Sequence, residues 1–159
     1  MKLGIKIAIA VICCLVLGGL SGIATVSEIK DWYLNLNKPS FNPPNWLFGP
    51  AWSTLYTLMG ISFALVWNDL SKNNISIFKH KAGVFFGIQF VLNLLWSTLF
   101  FSLHQIGLAL VEMLVLLGFI VFTTIEFSKI NRFASALLIP YILWVSFATV
   151  LTASILYLN

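Results

Sequence analysis

Charged residues are scarce in this chain of 159 residues. Lys and Arg together number 9 and Asp and Glu number 5, so 9% of the residues are charged, against about a quarter in soluble globular proteins. Hydrophobic residues make up 60% of the chain, and the mean hydropathy is +0.97. This composition excludes an ordinary soluble domain and indicates an integral membrane protein.

Residue types that hold metals or perform covalent catalysis are also few. The two cysteines, Cys13 and Cys14, are adjacent, and neighbouring residues of a helix point to different faces, so we expect neither a disulfide nor a metal site. His80 and His104 lie at opposite ends of one apolar stretch. The sequence contains no phosphate-binding loop and no pattern of nucleophile and base. We therefore expect no bound metal, no resident cofactor and no side-chain triad.

Long apolar stretches dominate the remainder. The predicted spans cover about 4–26, 45–68, 81–103, 106–127 and 132–157. Each exceeds the ~18 apolar residues that mark a spanning helix, and runs such as "MLVLLGFIVF" lack the alternation of a membrane barrel. The first stretch is longer than the core of a cleaved signal peptide, which favours a retained helix. The sequence predicts an all-α integral membrane protein, a five-helix bundle in a single domain, 1–159.

The distribution of Lys and Arg predicts the orientation of this bundle. One side of the membrane collects Lys2, Lys6, Lys72, Lys79, Lys81, Lys129 and Arg132. The other side has only Lys30 and Lys38, which Glu28 and Asp31 balance. By the positive-inside rule the N-terminus is cytoplasmic and the C-terminus lies outside. The net charge of +4 thus has a topological explanation, and we expect no nucleic-acid partner.

The loop at 27–44 is not composed like a flexible linker. Pro39, Pro43 and Pro44 fix backbone angles and lower the entropy lost on ordering. Large apolar side chains lie among its polar residues, including Trp32 and Tyr33. We predict a folded lid on the non-cytoplasmic side. An interfacial aromatic belt is the alternative explanation for Trp32 and Tyr33.

Two predicted spans carry aromatic stripes at helical spacing. The second span has Trp52, Tyr56, Met59 or Gly60, and Phe63, and the fifth has Pro140, Tyr141, Trp144, Phe147 and Ala148. Pro140 predicts a kink there. Such stripes more often pack against lipid or core than line a ligand site, so the stripes alone do not establish a pocket.

The third span shows two different faces. Gln89, Asn93 and Trp96 recur at i, i+4 and i+7, and amides in hydrocarbon are costly unless they face a partner helix or a cavity. This face should point into the bundle, where it either lines a site or joins helices. Gly83 and Gly87 form a small-xxx-small pattern on another face, which predicts a homodimer through this helix. The motif "GGLSG" in the first span is an alternative association surface.

Glu112 is the acidic residue that lies well inside a predicted span. An intramembrane carboxyl indicates a functional site by default, and a neutral Glu bonded to a neighbouring helix is the alternative. Because no second carboxylate is near in sequence, paired acid–base catalysis is not supported.

Several motifs together resemble one family. They are "WYLNL" followed by "KPSFNPPNWLFGPAWSTLYTLMG", then "LNLLW", "GLALVEM" and "PYILWVSFATVL". The chain resembles the translocator protein family, also called the tryptophan-rich sensory protein or peripheral benzodiazepine receptor family. The resemblance extends from the first span to the C-terminus.

This resemblance implies a five-helix bundle, usually dimeric, with a pocket beneath the first loop. The implied ligands are tetrapyrroles such as protoporphyrin IX and benzodiazepine-site drugs. The implied pocket residues are Trp52, Tyr56, Asn93, Trp96, Trp144, Phe147 and Ala148, to which the stripe of the fifth span adds Tyr141 and the lid adds Pro43. Some bacterial members are implied to promote light- and oxygen-dependent breakdown of protoporphyrin, with Trp52 and Trp144 as the expected reactive residues. Lys38, Asn42 and Asn45 are candidates to meet the ligand's carboxylates.

Other functions remain alternatives at this point. The chain could carry porphyrin or another lipophile across the membrane, or serve as a scaffold whose cavity is incidental. Cholesterol is not an expected partner. The pattern proposed for cholesterol recognition needs a Lys or Arg after its Tyr, whereas Tyr157 is followed by Leu158 and Asn159. Eight Lys against a single Arg hint at an AT-rich genome, which favours a bacterial cytoplasmic membrane.

Overall fold

A computed structural model of the protein describes residues 1–23, 28 and 31–159. Within these residues every regular element is a helix, which confirms the all-α class. The α-helices are α1 (Leu3–Ile23), α2 (Trp32–Asn35), α3 (Asn45–Lys72), α4 (Lys81–Ser97), α5 (Ile106–Ser128), α6 (Arg132–Ala136) and α7 (Ile139–Leu158). A 3-10 turn at Ile77–Lys79 precedes α4, and a π turn at Thr98–Ser102 extends it.

Four segments of the described chain are long and apolar enough to cross a membrane. They are Leu3–Ile23, Lys81–Ser102, Ile106–Ser128 and Arg132–Leu158, and they confirm an integral membrane protein. Helix α3 has 28 residues but is not among them, because Trp, Tyr, Pro, Gly, Ser and Thr lower the hydropathy of its first half. Residues 24–26 of the first predicted span, and 27, 29 and 30 of the predicted lid, lie outside the described residues.

Helices α1 and α3 pack antiparallel along most of α1. Near one end, the buried Lys6 extends its Nζ to within 3.4 Å of Asn68 Oδ1 and 5.5 Å of the Trp67 ring centroid. In the middle, Gly60 lies so close to α1 that an added Cβ would be 2.6 Å from the Val11 Cα. The polar contact satisfies a buried cation and the glycine permits close approach, so together they set the register of the two helices.

The predicted kink at Pro140 takes the form of a break between two helices. Helix α6 ends at Ala136 and α7 begins at Ile139, so Pro140 occupies the first turn of α7, where no N–H is required. Asn131 starts α6 by accepting a 3.0 Å hydrogen bond from the Ala134 N–H, and its own amide donates to Asp69 at 2.7 Å. This junction therefore fastens the start of α6 to the end of α3.

Residues 31–44, which we call the lid, fold around a single lysine. Lys38 Nζ donates hydrogen bonds to the carbonyls of Tyr33, Leu34 and Leu36 at 2.8–3.1 Å, so it satisfies the free carbonyl end of α2. Tyr33 is only 4% exposed and its hydroxyl donates to Asn42 Oδ1 at 2.8 Å. Burial raises the pKa of Tyr33 above its ordinary value, although the bond to Asn42 opposes this, and the hydroxyl remains a donor at neutral pH.

The lid is docked onto the bundle at two further points. Tyr33 packs edge-on against Phe100 and Phe101 of the π turn, with centroid distances of 6.1 and 5.8 Å. At the far side, the Asn37 N–H donates to Asn159 Oδ1 at 3.0 Å, and Asn159 Nδ2 donates to the Asn37 carbonyl at 2.9 Å. These contacts hold the lid across the ends of α4 and α7.

Candidate functional site

A cavity of about 400 Å³ opens beneath the lid, between α1, α3, α4 and α7. Its size falls within the ~300–1,000 Å³ range of ligand pockets, and most of its lining is apolar. The predicted site residues that line it are Trp52, Tyr56, Asn93, Trp96, Trp144 and Ala148. Helical periodicity explains this convergence, because residues three or four apart on α3, α4 and α7 share a face.

One wall of the cavity is built from stacked and crossed aromatic rings. Trp52 stacks on Tyr56 with a centroid distance of 5.5 Å and an interplanar angle of 28°. Trp144, which faces Trp52 from α7, meets it edge-on at 6.5 Å and 83°. Phe48 in turn meets Trp144 edge-on at 6.1 Å. Two indoles at nearly a right angle form a corner that offers both a ring face and a ring edge to a flat ligand.

A chain of hydrogen bonds fixes the inner end of this wall. The Tyr56 hydroxyl donates to Asn93 Oδ1 at 2.8 Å, and Asn93 Nδ2 donates to the Tyr141 hydroxyl at 2.9 Å. Asn93 is 3% exposed, so the amide face of the third predicted span does point inward. Asn93 thus lines the cavity and also joins α3, α4 and α7. The face was expected either to line a site or to join helices, and Asn93 does both.

Tyr141, Phe147 and Pro43 are predicted ligand residues that the structure does not place in the described cavity lining. Tyr141 lies behind the wall, where it supports Asn93 and packs edge-on against Trp52 at 6.4 Å. Phe147 lies beside Trp144, with a centroid distance of 5.9 Å. These three predictions therefore stay predictions, and the observed contacts suit a supporting role for Tyr141 and Phe147.

Three buried polar groups have no hydrogen-bond partner in the part of the chain that the structure describes. They are the indole Nε1 of Trp96, both amide atoms of Gln89 and both carboxyl oxygens of Glu112. Trp96 stacks on Phe100 at 5.3 Å and is among the residues that line the cavity, while its indole N–H is itself buried. Glu112 finds no partner on a neighbouring helix among the described residues, so the hydrogen-bonded alternative for this residue is not what the structure shows.

The three residues predicted to meet the carboxylates of the ligand differ in their surroundings. Lys38 is occupied by the three lid carbonyls, and Asn42 accepts from Tyr33 and donates to the Pro43 carbonyl at 3.0 Å. Asn45 lines the cavity at the start of α3. Of these three side chains, Asn45 is therefore the one placed to meet a polar group of a ligand.

Sequence reasoning missed the contribution of α1 to the cavity. Gly18 lines it, and an added Cβ would collide with the Tyr56 ring. The signal was present in "GGLSG", whose small residues indicate close packing, but the partner of a small residue cannot be inferred from one sequence. Phe48 and Phe100 are further lining residues outside the predicted set.

The two glycines predicted at a dimer interface have different surroundings. An added Cβ on Gly83 would collide with the carbonyl of Ile77, so Gly83 allows the 3-10 turn to pack on α4. An added Cβ on Gly87 would meet nothing within 4 Å. Gly87 lies in a shallow apolar groove with Val84, Ile88 and Val91.

Metal binding has no structural support among the described residues, 1–23, 28 and 31–159. No group of three His, Cys, Asp or Glu side chains there is close enough to hold an ion. Cys13 is exposed, Cys14 is buried, and both are free thiols.

Comparison with known proteins gives the context for this site. The TspO/MBR family matches residues 10–158. The chain is 38% identical to the "Tryptophan-rich protein TspO" of Chlorobaculum tepidum, covering 98% of this chain and 96% of that protein. It is 41% identical to the human "Translocator protein" (76% and 70% covered) and 34% identical to the "Tryptophan-rich sensory protein" of Cereibacter sphaeroides (81% and 77% covered). The chain belongs to the TspO/MBR family.

Proposed function

We propose that this protein is a membrane receptor and sensor that binds tetrapyrroles such as protoporphyrin IX, and benzodiazepine-site drugs, in the cavity beneath the lid. The observation that carries the proposal is the corner formed by Trp52 and Trp144 in a cavity of about 400 Å³. The names of the relatives, which refer to translocation and sensing, support the same general role.

A tetrapyrrole matches the chemistry of the cavity. It is a broad conjugated plate, and aromatic pairs add about 0.5–1.5 kcal/mol beyond area burial. The apolar lining suits the plate, whereas Asn45 at the lid end suits its polar groups. Lys38 is occupied by carbonyls of the lid, so the carboxylates of the ligand would be met by neutral donors and by water.

Light-dependent breakdown of the bound porphyrin is the chemical extension of this proposal. An excited porphyrin passes energy to O₂ and generates reactive oxygen, and an indole held against the plate can donate an electron or trap the product. Trp52 and Trp144 are the residues in position to do this. Light and O₂ supply the driving force, so a side-chain triad is not needed.

We also propose a particular arrangement in the membrane. With its 28 residues, α3 is about 42 Å long, which exceeds a hydrocarbon core of about 30 Å, so α3 would be the second of five spans. The excess of Lys and Arg supports an orientation with the N-terminus in the cytoplasm and the lid on the outer side. The proposed location is a bacterial cytoplasmic membrane.

Replacing either corner tryptophan by phenylalanine tests the function. In Trp52→Phe and Trp144→Phe we expect protoporphyrin to bind about 2–10-fold more weakly, because a smaller ring loses stacking area, and we expect illuminated loss of porphyrin absorbance to slow by more than the binding change. Fluorescence titration of purified protein in the dark, followed by absorbance decay under light, measures the two effects. Trp46→Phe is the matched control, since Trp46 is 72% exposed and outside the cavity lining.

Two outcomes would contradict the proposal. Saturable binding and breakdown that are unchanged in both corner variants would remove the role of the tryptophan corner. Porphyrin flux into sealed vesicles, without light-dependent breakdown, would instead favour a carrier.

A homodimer through α4 is a second, separate proposal. The apolar groove at Gly87 can receive a helix of another copy, so Gly87→Leu is expected to lower the dimer fraction severalfold in mild detergent. Gly118→Leu on α5 is the control, because an added Cβ there also meets open space. Gly83→Leu is unsuitable, since it would displace the Ile77 turn before it reached a partner. An unchanged dimer fraction in Gly87→Leu would place the interface elsewhere.

A further inference from the structure

A histidine joins the lid to the far end of the α4 segment. His104 lies between the π turn and α5, and its Nε2 is 3.0 Å from Glu28 Oε2. Its ring also stacks on Trp32 of the lid, with a centroid distance of 4.3 Å and an interplanar angle of 19°. One imidazole thus contacts a carboxylate and an indole face at the same time.

The backbone holds this imidazole against the lid. His104 has a φ of 54°, in the left-handed region that side chains other than Gly seldom adopt. Hydrogen bonds on either side fix the turn, from the Leu103 N–H to the Thr98 carbonyl at 2.9 Å and from the Gln105 N–H to the Leu99 carbonyl at 3.0 Å. A strained residue held by its surroundings often has a functional role.

We propose that Glu28, Trp32 and His104 form a pH-dependent clasp that holds the lid closed when the imidazole is protonated and holds it more weakly when the imidazole is neutral. A protonated imidazole forms an ion pair with Glu28 and a cation–π contact with Trp32. The neutral ring keeps the stacking contact and one hydrogen bond, but both charge-dependent attractions are lost.

The charges around His104 support a lid that is held more strongly when the imidazole is protonated. Among the described residues, the charged groups that the lid side brings to this region are Glu28, Asp31 and Lys38, and Lys38 is already occupied by lid carbonyls. The π turn is uncharged, and on α5 the first charged residue is Glu112. The end of α7 brings the neutral amide of Asn159, so the charges facing the clasp are mainly carboxylates.

The pH window follows from the chemistry of the imidazole. Histidine ordinarily changes charge between pH 5 and 8, whereas carboxyl groups ionise at lower pH. The closed lid is therefore favoured most at the acidic end of this window and loses the contribution of the clasp as pH rises. If the lid covers a tetrapyrrole as proposed above, the ligand would leave more slowly in acid; this consequence rests on the proposed function, but the clasp itself does not.

Amide hydrogen exchange of the ligand-free protein in phospholipid nanodiscs tests the clasp directly. After correction for the intrinsic pH dependence of exchange, we expect protection of amides in residues 31–44 to fall about two- to fivefold between pH 5.5 and pH 8. His104→Gln should make lid protection independent of pH, whereas Glu28→Gln should reduce the pH dependence to the part that the contact of the protonated ring with Trp32 supplies. His104→Arg should give a lid at pH 8 that is better protected than in the wild type, because the guanidinium stays charged and can stack on Trp32.

His80→Gln is the matched control. His80 begins α4 at the opposite end of that helix, where its Nδ1 accepts from the Ala82 N–H at 3.2 Å, so this variant should retain the wild-type pH dependence of the lid. A wild-type lid whose corrected protection does not change with pH would overturn the clasp, as would an unchanged pH dependence in His104→Gln. Because no ligand is present, failure to bind protoporphyrin would not affect either result.

Discussion

Asn93→Leu is expected to destabilise the protein by about 2 kcal/mol, because the substitution removes the shared partner of two buried hydroxyls. Tyr56 and Tyr141 each lose a hydrogen bond to Asn93, at 2.8 and 2.9 Å. An unpartnered buried polar group costs about 1–3 kcal/mol. Interhelical hydrogen bonds in membranes average only about 0.6 kcal/mol each, so for two unpartnered hydroxyls we expect a total of about 2 kcal/mol. Unfolding in mixed detergent micelles measures the difference.

A triple variant provides the sharpest control for this prediction. Tyr56→Phe/Asn93→Leu/Tyr141→Phe removes every polar member of the chain, so it should recover most of the stability that Asn93→Leu loses. Recovery would show that the cost comes from unsatisfied groups. If the triple variant were as unstable as the sum of its single changes, the shape of Asn93 would matter more than its hydrogen bonds.

The same variant should also change the cavity. Tyr56 stacks on Trp52, packs on Gly18 and is held at its hydroxyl by Asn93, so the loss of that bond frees the ring to shift within the cavity wall. Ligand affinity should then fall in Asn93→Leu and return only in part in the triple variant. Dark titration with protoporphyrin would separate this effect from overall stability.

Local periodicity explains why much of the candidate site could be predicted from the sequence. Trp52 and Tyr56, or Trp144 and Ala148, are one helical turn apart, so a single pattern on each helix indicates a shared face. The apolar stretches likewise indicated a helical membrane protein, because few other structures satisfy every backbone group in lipid.

The features that could not be predicted depend on contacts between distant parts of the chain. Lys38 looked available to a ligand, yet it binds carbonyls of its own lid. Gly83 and Gly87 looked equivalent in the motif, but only the structure shows that the Ile77 turn packs on the first of them. Gly18 contributes to the cavity through the space that it leaves for Tyr56, and the sequence of α1 does not show which distant residue fills that space.

Gly60→Ala is expected to destabilise the bundle by about 2 kcal/mol, against the direction that helix propensity predicts. Alanine is favoured over glycine within a helix by about 1 kcal/mol, but the new methyl group would be 2.6 Å from the Val11 Cα and 2.8 Å from its N. Backbone atoms cannot rotate aside as a side chain can, so α1 must shift away from α3, and overpacking of this kind costs about 1–3 kcal/mol or more.

Gly118→Ala separates these two effects. Gly118 is also within a helix, but an added Cβ there meets nothing within 4 Å, so propensity alone should act and the variant should be as stable as the wild type or more stable by up to about 1 kcal/mol. Opposite signs for the two substitutions in one micellar unfolding assay would locate the close contact of α1 and α3 at Gly60.

Since Lys6 and Gly18 face α3 on either side of that contact, a shifted α1 should also weaken the Asn68 contact and widen the cavity beside Tyr56. Equal effects at both positions would show that α1 tolerates the methyl group and that the register is set by its polar contacts alone.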